Sequence, residues 1–149
     1  MSRLTQIPIR IEPSARIQTP VAGGLGGGVA AILSELVSLL ERLANGGEPA
    51  TIDLRSLPMS PQDRIELQRA LGQGEVQATV NAEGLSKIHE TGVSGVWWVE
   101  HFDRHEALLA ELIEVSRVPE ILSSASDEIA AGARTLRAQI TAAAAAPMG

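Results

Sequence analysis

The segment Leu71-Gly-Gln-Gly-Glu-Val-Gln-Ala-Thr-Val80, continued by Lys87-Ile-His-Glu-Thr-Gly-Val-Ser-Gly-Val-Trp-Trp-Val-Glu-His-Phe-Asp103, reads as three short strands separated by turns. Val76, Ala78 and Val80 alternate with Glu75, Gln77 and Thr79, the period-two pattern of a strand with one buried face. Asn81-Ala-Glu-Gly84 supplies turn chemistry, and Lys87 to Thr91 forms a second, polar-rich strand. Gly92 and Gly95 bracket another turn before Val96 to Phe102, the run that holds both tryptophans and the only phenylalanine. Neighbouring residues of a strand face opposite sides, so one of Trp97 and Trp98 is expected in the core and the other on the outer face. There it is either covered by the C-terminal helix or the N-terminal arm, or it anchors a partner, since Trp is enriched at interface hot spots.

Downstream, Glu106 to Val115 fits two periods. Ala107-Leu-Leu-Ala-Glu-Leu-Ile-Glu114 suits a helix, whereas Leu109, Glu111, Ile113 and Val115 suit a strand entered through a hairpin turn at Asp103-Arg-His-Glu106. Its place directly after Val96–Phe102 favours the strand. Val118-Pro119 then opens a helix from about Glu120 to Ala143, with Ile121, Leu122, Ala125, Ile129, Ala133, Leu136 and Ile140 as its stripe. This helix packs within the chain or serves a partner or a second copy. Residues 144–149 are expected to fray.

Upstream, Val29 to Leu43 has a broad apolar face at spacings of three and four, ended by Asn45-Gly-Gly47. Thr51-Ile-Asp-Leu54 is a short strand. Ser60 is the expected N-cap of a helix over 60–71, with Pro61 at its first position and Asp63 at its third. Ile65, Leu67, Ala70 and Leu71 are its expected inner face. Residues 1–28 read as an arm, with Ile7, Ile9 and Ile11 as an edge strand or extended segment, followed by a glycine-rich lead-in. No Gly-Lys-Ser/Thr follows those glycines, so they do not form a phosphate loop. The expected fold is therefore α+β: a small antiparallel sheet of about four or five strands with helices at 29–43, 60–71 and 120–143. Residues 29–143 would form a single domain.

The chain has 149 residues, a formal net charge of −6 and no cysteine. Disulfides, and thiolate sites for zinc or iron–sulfur clusters made by this chain alone, are excluded. No basic stripe points to nucleic acid or an anionic membrane. The N-terminus lacks a continuous apolar run of the signal-peptide kind, and Gly23 to Leu40 is too polar and glycine-rich to span a bilayer. A cytoplasmic protein is the expectation.

Nucleophilic catalysis has no support: there is no Gly-x-Ser-x-Gly elbow and no serine beside a base. Asp53 and Arg55 share a strand side and are expected to form a surface ion pair. His89, His101 and His105 are the only histidines. His89 approaching His101, with Glu90 and Glu100, is the one candidate metal site, weighed against solvated strand-end histidines. Glu75, Glu90, Glu100, Glu111 and Glu114 could share one sheet surface, as a solvated face or one that recognises a basic segment.

Five blocks carry a family resemblance: Leu-Gly-Gln-Gly-Glu-Val at 71–76, Ile-His-Glu-Thr at 88–91, Gly-Val-Trp-Trp-Val at 95–99, Glu-Leu-Ile-Glu-Val-Ser-Arg-Val-Pro-Glu-Ile-Leu at 111–122, and Thr-Ile-Asp-Leu-Arg-Ser-Leu-Pro at 51–58. Taken in their order along the chain, 51–58 first, they resemble the C-terminal conserved region of HupH/HyaF-type hydrogenase expression/formation proteins, whose members are usually about twice as long; a short HupJ-like form is the alternative. The family pattern favours the strand at 106–115, although relatives show a glycine near the turn where this chain has Arg104-His105. The resemblance implies a non-enzymatic maturation factor or chaperone for an uptake [NiFe] hydrogenase. It implies action on the iron–sulfur small subunit precursor before export and assembly, beside thioredoxin-like and rubredoxin-like accessory proteins. On this reading Trp97, Trp98, Glu75, Glu90, Glu100, His101 and Phe102 form the partner surface, and no metal or cofactor is required. The alternatives are a small metal-binding protein using His89, His101 and nearby glutamates, or a structural homodimer.

Overall fold

The computed structural model describes residues 24–147; the Ile7–Ile11 alternation lies outside them. The chain divides into two compact units, one ending at Arg117 and one beginning at Val118.

The first unit runs α1 (Gly27–Ala44), β1 (Ala50–Asp53), a single 3-10 turn (Leu54–Ser56), α2 (Pro61–Leu71), β2 (Gln77–Asn81), β3 (Leu85–Glu90), β4 (Val96–Phe102) and β5 (Leu108–Val115). The strands form one sheet in the order β1-β5-β4-β3-β2, with every neighbouring pair antiparallel. The quoted segment thus supplies a meander, β2 to β4, which β5 continues. The earlier β1 closes the far edge by pairing Ile52 with Ile113 and Ala50 with Val115. The α+β expectation holds, and the ambiguous segment after Phe102 is a strand.

Local chemistry accounts for the element ends. At the start of α2, Asp63 N–H donates to Ser60 Oγ (3.1 Å) and Ser60 N–H donates to Asp63 Oδ2 (2.9 Å), a reciprocal capping box with Pro61 at the first position. Gly72 ends that helix at φ +68°. At the β4–β5 turn, Asp103 Oδ1 accepts from His105 and Ala107 N–H (2.7 and 2.9 Å). Glu106 there takes φ +62°, the left-handed conformation that a glycine adopts without cost.

Helices and sheet meet over one core. Val29, Ile32, Leu36, Leu39 and Leu43 of α1 and Leu67 and Leu71 of α2 pack with Val96, Trp98, Ile113 and Val115. Each such aliphatic side chain contributes about 1.5–3 kcal/mol when fully buried, before chain entropy is counted. Ile65 does not join them; it is 47% exposed, because the short α2 turns only Leu67 and Leu71 fully inward. On the opposite face of the sheet Ile88, Trp97 and Val99 form a second buried cluster, flanked by Ala78, Val80 and Leu112.

In the second unit a 3-10 turn (Glu120–Leu122) precedes α3 (Ser126–Ala145). The helix starts later than expected. Glu128 Oε2 accepts from Ala125 N–H (2.9 Å), so the acidic pair Asp127-Glu128 sits in the first turn, near the positive end of the helix dipole. Ile129, Leu136 and Ile140 are all exposed. Among the described residues no helix is long and apolar enough to cross a membrane.

Candidate partner-binding site

The segments that read as the centre of the sequence are knitted together by main-chain bonds. Gly92 N–H donates to Leu71 O (2.9 Å), joining the end of α2 to the β3–β4 turn. Gly74 N–H donates to Glu90 O and Glu90 N–H to Val76 O, both at 2.8 Å, so the Gly72–Val76 loop lies along the end of β3. The approach at Gly74 is tight: a Cβ there would sit 2.6 Å from Thr91 O. The buried Thr91 Oγ1 donates to Val96 O (2.9 Å) and holds the turn closed.

Cross-strand register then fixes which side chains share a face. His89 pairs with Trp98, Lys87 with Glu100, and Glu100 with Glu111. These lie on the face covered by α1 and α2. Glu90, Trp97 and Glu114 are in register on the opposite face, as are Ser86, His101 and Ala110.

Three of these expectations change, and the choice left open for the outward tryptophan is made. His89 and His101 lie on opposite faces of the sheet, so register prevents them from sharing a metal ion. Among the described residues no three His, Asp or Glu groups are clustered to hold one. His101 instead pairs through Nδ1 with Ser86 Oγ at 2.7 Å. The five glutamates do not form one acidic surface, because Glu100 and Glu111 face the helices while Glu90 and Glu114 face away. Arg55 does not hold Asp53 by its guanidinium. Its Nη1 donates to Leu108 O and Leu109 O (2.7 and 2.8 Å), tying the turn after β1 to β5, and Asp53 Oδ1 accepts from the Arg55 main chain (3.0 Å). Finally, both tryptophans are buried. Trp98 is 1% exposed, and Trp97, 7% exposed, donates its Nε1–H to Ser116 O at 3.1 Å.

The remaining members of the expected partner surface are accessible to different degrees. Glu75 is exposed just before β2, whereas Glu90, Glu100, His101 and Phe102 are half-buried. Lys87 Nζ lies 5.2 Å from the centroid of the Phe102 ring, within cation–π range. Beside Phe102, a hollow of about 390 Å³ is lined by Gly84, Arg104 and His105 of the two hairpin turns and by Leu109 of β5.

Electrostatics concentrate under α2. Arg64 Nε lies 2.7 Å from Glu111 Oε1, with the Glu111 side chain almost wholly buried. Burial raises the Glu111 pKa above its ordinary value; Arg64 opposes that shift and Glu100 adds to it. Beside this pair a cleft of about 440 Å³ opens between the end of α2 and β3, lined by Gln68, Arg69, Gly72, Gln73, His89 and Trp98. The His89 ring lies nearly parallel to the Trp98 indole, with centroids 6.3 Å apart and planes at 15°. Burial lowers the His89 pKa, against the attraction of Glu100, so the imidazole is neutral at pH 7. Sequence reasoning missed this cleft, although Gly72 and Gln73, His89 and Trp98 come from three of the blocks it singled out.

Comparison with known proteins agrees with this fold. Residues 28–143 match the family model described as the HupH hydrogenase expression protein, C-terminal conserved region. The chain belongs to that family of hydrogenase accessory proteins. It is 30% identical over 134 residues to the hydrogenase expression/formation protein HoxQ of Azotobacter vinelandii, covering 87% of this chain and 47% of that protein. It is 33% identical over 89 residues to the hydrogenase-1 operon protein HyaF of Escherichia coli strain K12, covering 60% of this chain and 31% of that one. The solved structure of the hydrogenase expression protein HupH from Thiobacillus denitrificans superposes with a TM-score of 0.73 at 36% identity, covering 78% of this chain and 97% of that one. The chain spans about half or less of the length of these curated relatives.

Proposed function

We propose that this protein is a non-enzymatic maturation factor that binds the iron–sulfur small subunit precursor of an uptake [NiFe] hydrogenase in the cytoplasm, before export and assembly. The observation that carries the reading is the family match over residues 28–143, together with relatives named for hydrogenase expression and formation. A chain without cysteine has no thiolates of its own with which to take clusters from the subunit, which suits shielding better than cluster transfer.

Within the expected partner set, Trp98 supports the surface from beneath and Trp97 fixes the far face of β4. The accessible members divide between the two faces of the sheet, Glu90 and His101 on the one turned away from the helices and Glu100 and Phe102 on the other, with Glu75 exposed ahead of β2, and contact with the client falls to these residues. Other hydrogenase accessory proteins are the natural co-workers.

The test is an affinity pull-down from hydrogenase-expressing cells, under anaerobic conditions and in air, with mass spectrometry of the bound proteins. Recovery of the small-subunit precursor, reduced by Phe102→Ala in protein that remains folded, is the expected result. Recovery of no hydrogenase component under either condition overturns the proposal.

A further inference from the structure

We propose that the cleft between the end of α2 and β3 is a docking site for a carboxylate-bearing segment of a partner polypeptide. The proposal rests on the reading of this chain as a protein-binding accessory factor and assigns residues that reading leaves unused.

The cleft presents donors and lacks carboxylates. In a chain of net charge −6, none of its six lining residues is acidic. Arg69, Gln68 and Gln73 line it with side chains that have no hydrogen bond or ion pair among the described residues. Gly72 and Gly74 spend their N–H groups on Gln68 O and Glu90 O, whereas the intervening Gln73 N–H has no such partner. Neutral His89 adds one further ring N–H. Trp98 is 1% exposed, its Nε1–H has no acceptor among the described residues, and the same ring lines the cleft. Buried donors are normally paired, and this one, closed off from solvent, is not.

An ionised carboxylate is an acceptor only, with two oxygens that can meet a guanidinium side-on. The last turn of α2 opposes an anion with about half a negative charge. Two of its carbonyls, Gln68 O and Leu71 O, already accept from Gly72 and Gly92, and Arg69 carries a whole positive charge. Arg69 outweighs that half charge, while Glu100, which acts on His89 from outside the lining, opposes the anion. At about 440 Å³ the cleft falls within the ordinary range of ligand sites and exceeds what one carboxyl group fills. The two glutamine amides suit the main chain of a peptide that carries the acid.

The test uses the full chain labelled with ¹⁵N and three probes: an acetylated, amidated triglutamate peptide, its triglutamine twin, and acetate. The triglutamate should shift the Gln73 amide and the Trp98 indole signals saturably, and Arg69→Gln should weaken it about tenfold or more. Arg69 is exposed, so this variant should keep the fold, which its remaining spectrum reports. Triglutamate shifting neither signal, triglutamine binding equally, or undiminished binding by R69Q overturns the proposal. Acetate binding as tightly as the peptide overturns the assignment to a polypeptide. Because no hydrogenase component is present, failure here is separate from failure of the pull-down.

Discussion

Arg64 reaches from α2 to the sheet and sets its Nε 2.7 Å from Oε1 of Glu111, a carboxylate side chain that is 3% exposed. Glu111 also has Glu100 opposite it on β4, so removing Arg64 leaves two carboxylates facing one another beneath the helix. Arg64→Ala should destabilise the protein by about 1–2 kcal/mol, reduced from the fully buried case because Arg64 is partly exposed. Adding Glu111→Gln should recover much of the loss. Denaturant midpoints for the two single variants and the double variant check this. Additive losses would mean that the two residues do not interact.

The same pair gives stability a pH dependence of known sign. The Glu111 pKa is raised in the folded state, so the fold holds a proton there that the unfolded chain has released. Its contribution is fully present below the ordinary value of 4.5 and is lost as pH rises through the folded pKa. His89 works in the opposite direction at higher pH. Its pKa is lowered, so the unfolded chain binds the proton first, and stability falls as pH drops below 6.5. In His89→Gln the slope of unfolding free energy just below that pH should flatten relative to the parent. Identical slopes would show that burial does not perturb His89.

Glu106 holds φ +62° in the β4–β5 turn. Glu106→Gly should therefore stabilise the fold, by about 0.5–1 kcal/mol after the extra freedom of the unfolded glycine is deducted. Thermal unfolding reads the effect directly, and a lower midpoint would count against the turn geometry.

Gly74 makes the opposite case. A methyl group there would sit 2.6 Å from Thr91 O and 2.9 Å from Glu90 Cγ, so Gly74→Ala must push the loop off β3. A loss of about 1–3 kcal/mol is expected. Faster hydrogen exchange at the Gly74 and Glu90 amides should accompany it, since each donates into this junction.

The two tryptophans separate by kind of loss. Trp98→Ala empties a core position and should cost about 3–5 kcal/mol. Trp97→Phe keeps most of the packing and removes the bond to Ser116 O, a loss of about 1 kcal/mol. Urea unfolding of the two variants distinguishes them. Equal losses would contradict the different surroundings of the two rings.

These surroundings mark the limit of what the sequence shows. The α2 start was legible because Ser60-Pro-Gln-Asp63 carries its own hydrogen-bond chemistry. The opposite facing of Trp97 and Trp98 followed from strand parity. The register between strands did not follow, because a slip of one residue exchanges the two faces and only the assembled sheet fixes it. That is why the sequence leaves open both an approach of His89 to His101 and a single glutamate face. The cleft was hidden for a related reason: Arg69 and His89 line one space only once α2, tied to the β3–β4 turn by the Leu71–Gly92 bond, lies against the sheet. Nothing local encodes that contact. Trp97 had two readings, cover or anchor, and parity alone could not choose between them.

The position of β1 at the sheet edge next to β5 bears on how the protein is made. Ala50–Asp53 pairs with Leu112–Val115, so an early strand waits for the last strand of its unit. During synthesis α1 and β1 precede the other strands, and the Val29–Leu43 face lacks its β5 partners Ile113 and Val115 until Val115 has left the ribosome. The hairpins from Gln77 to Val115 join neighbours in the chain and close small loops, whereas docking β1 closes a much larger one. Nascent chains stalled before Val115 should therefore expose α1 to chaperones and proteases, and those stalled well beyond Arg117 should not.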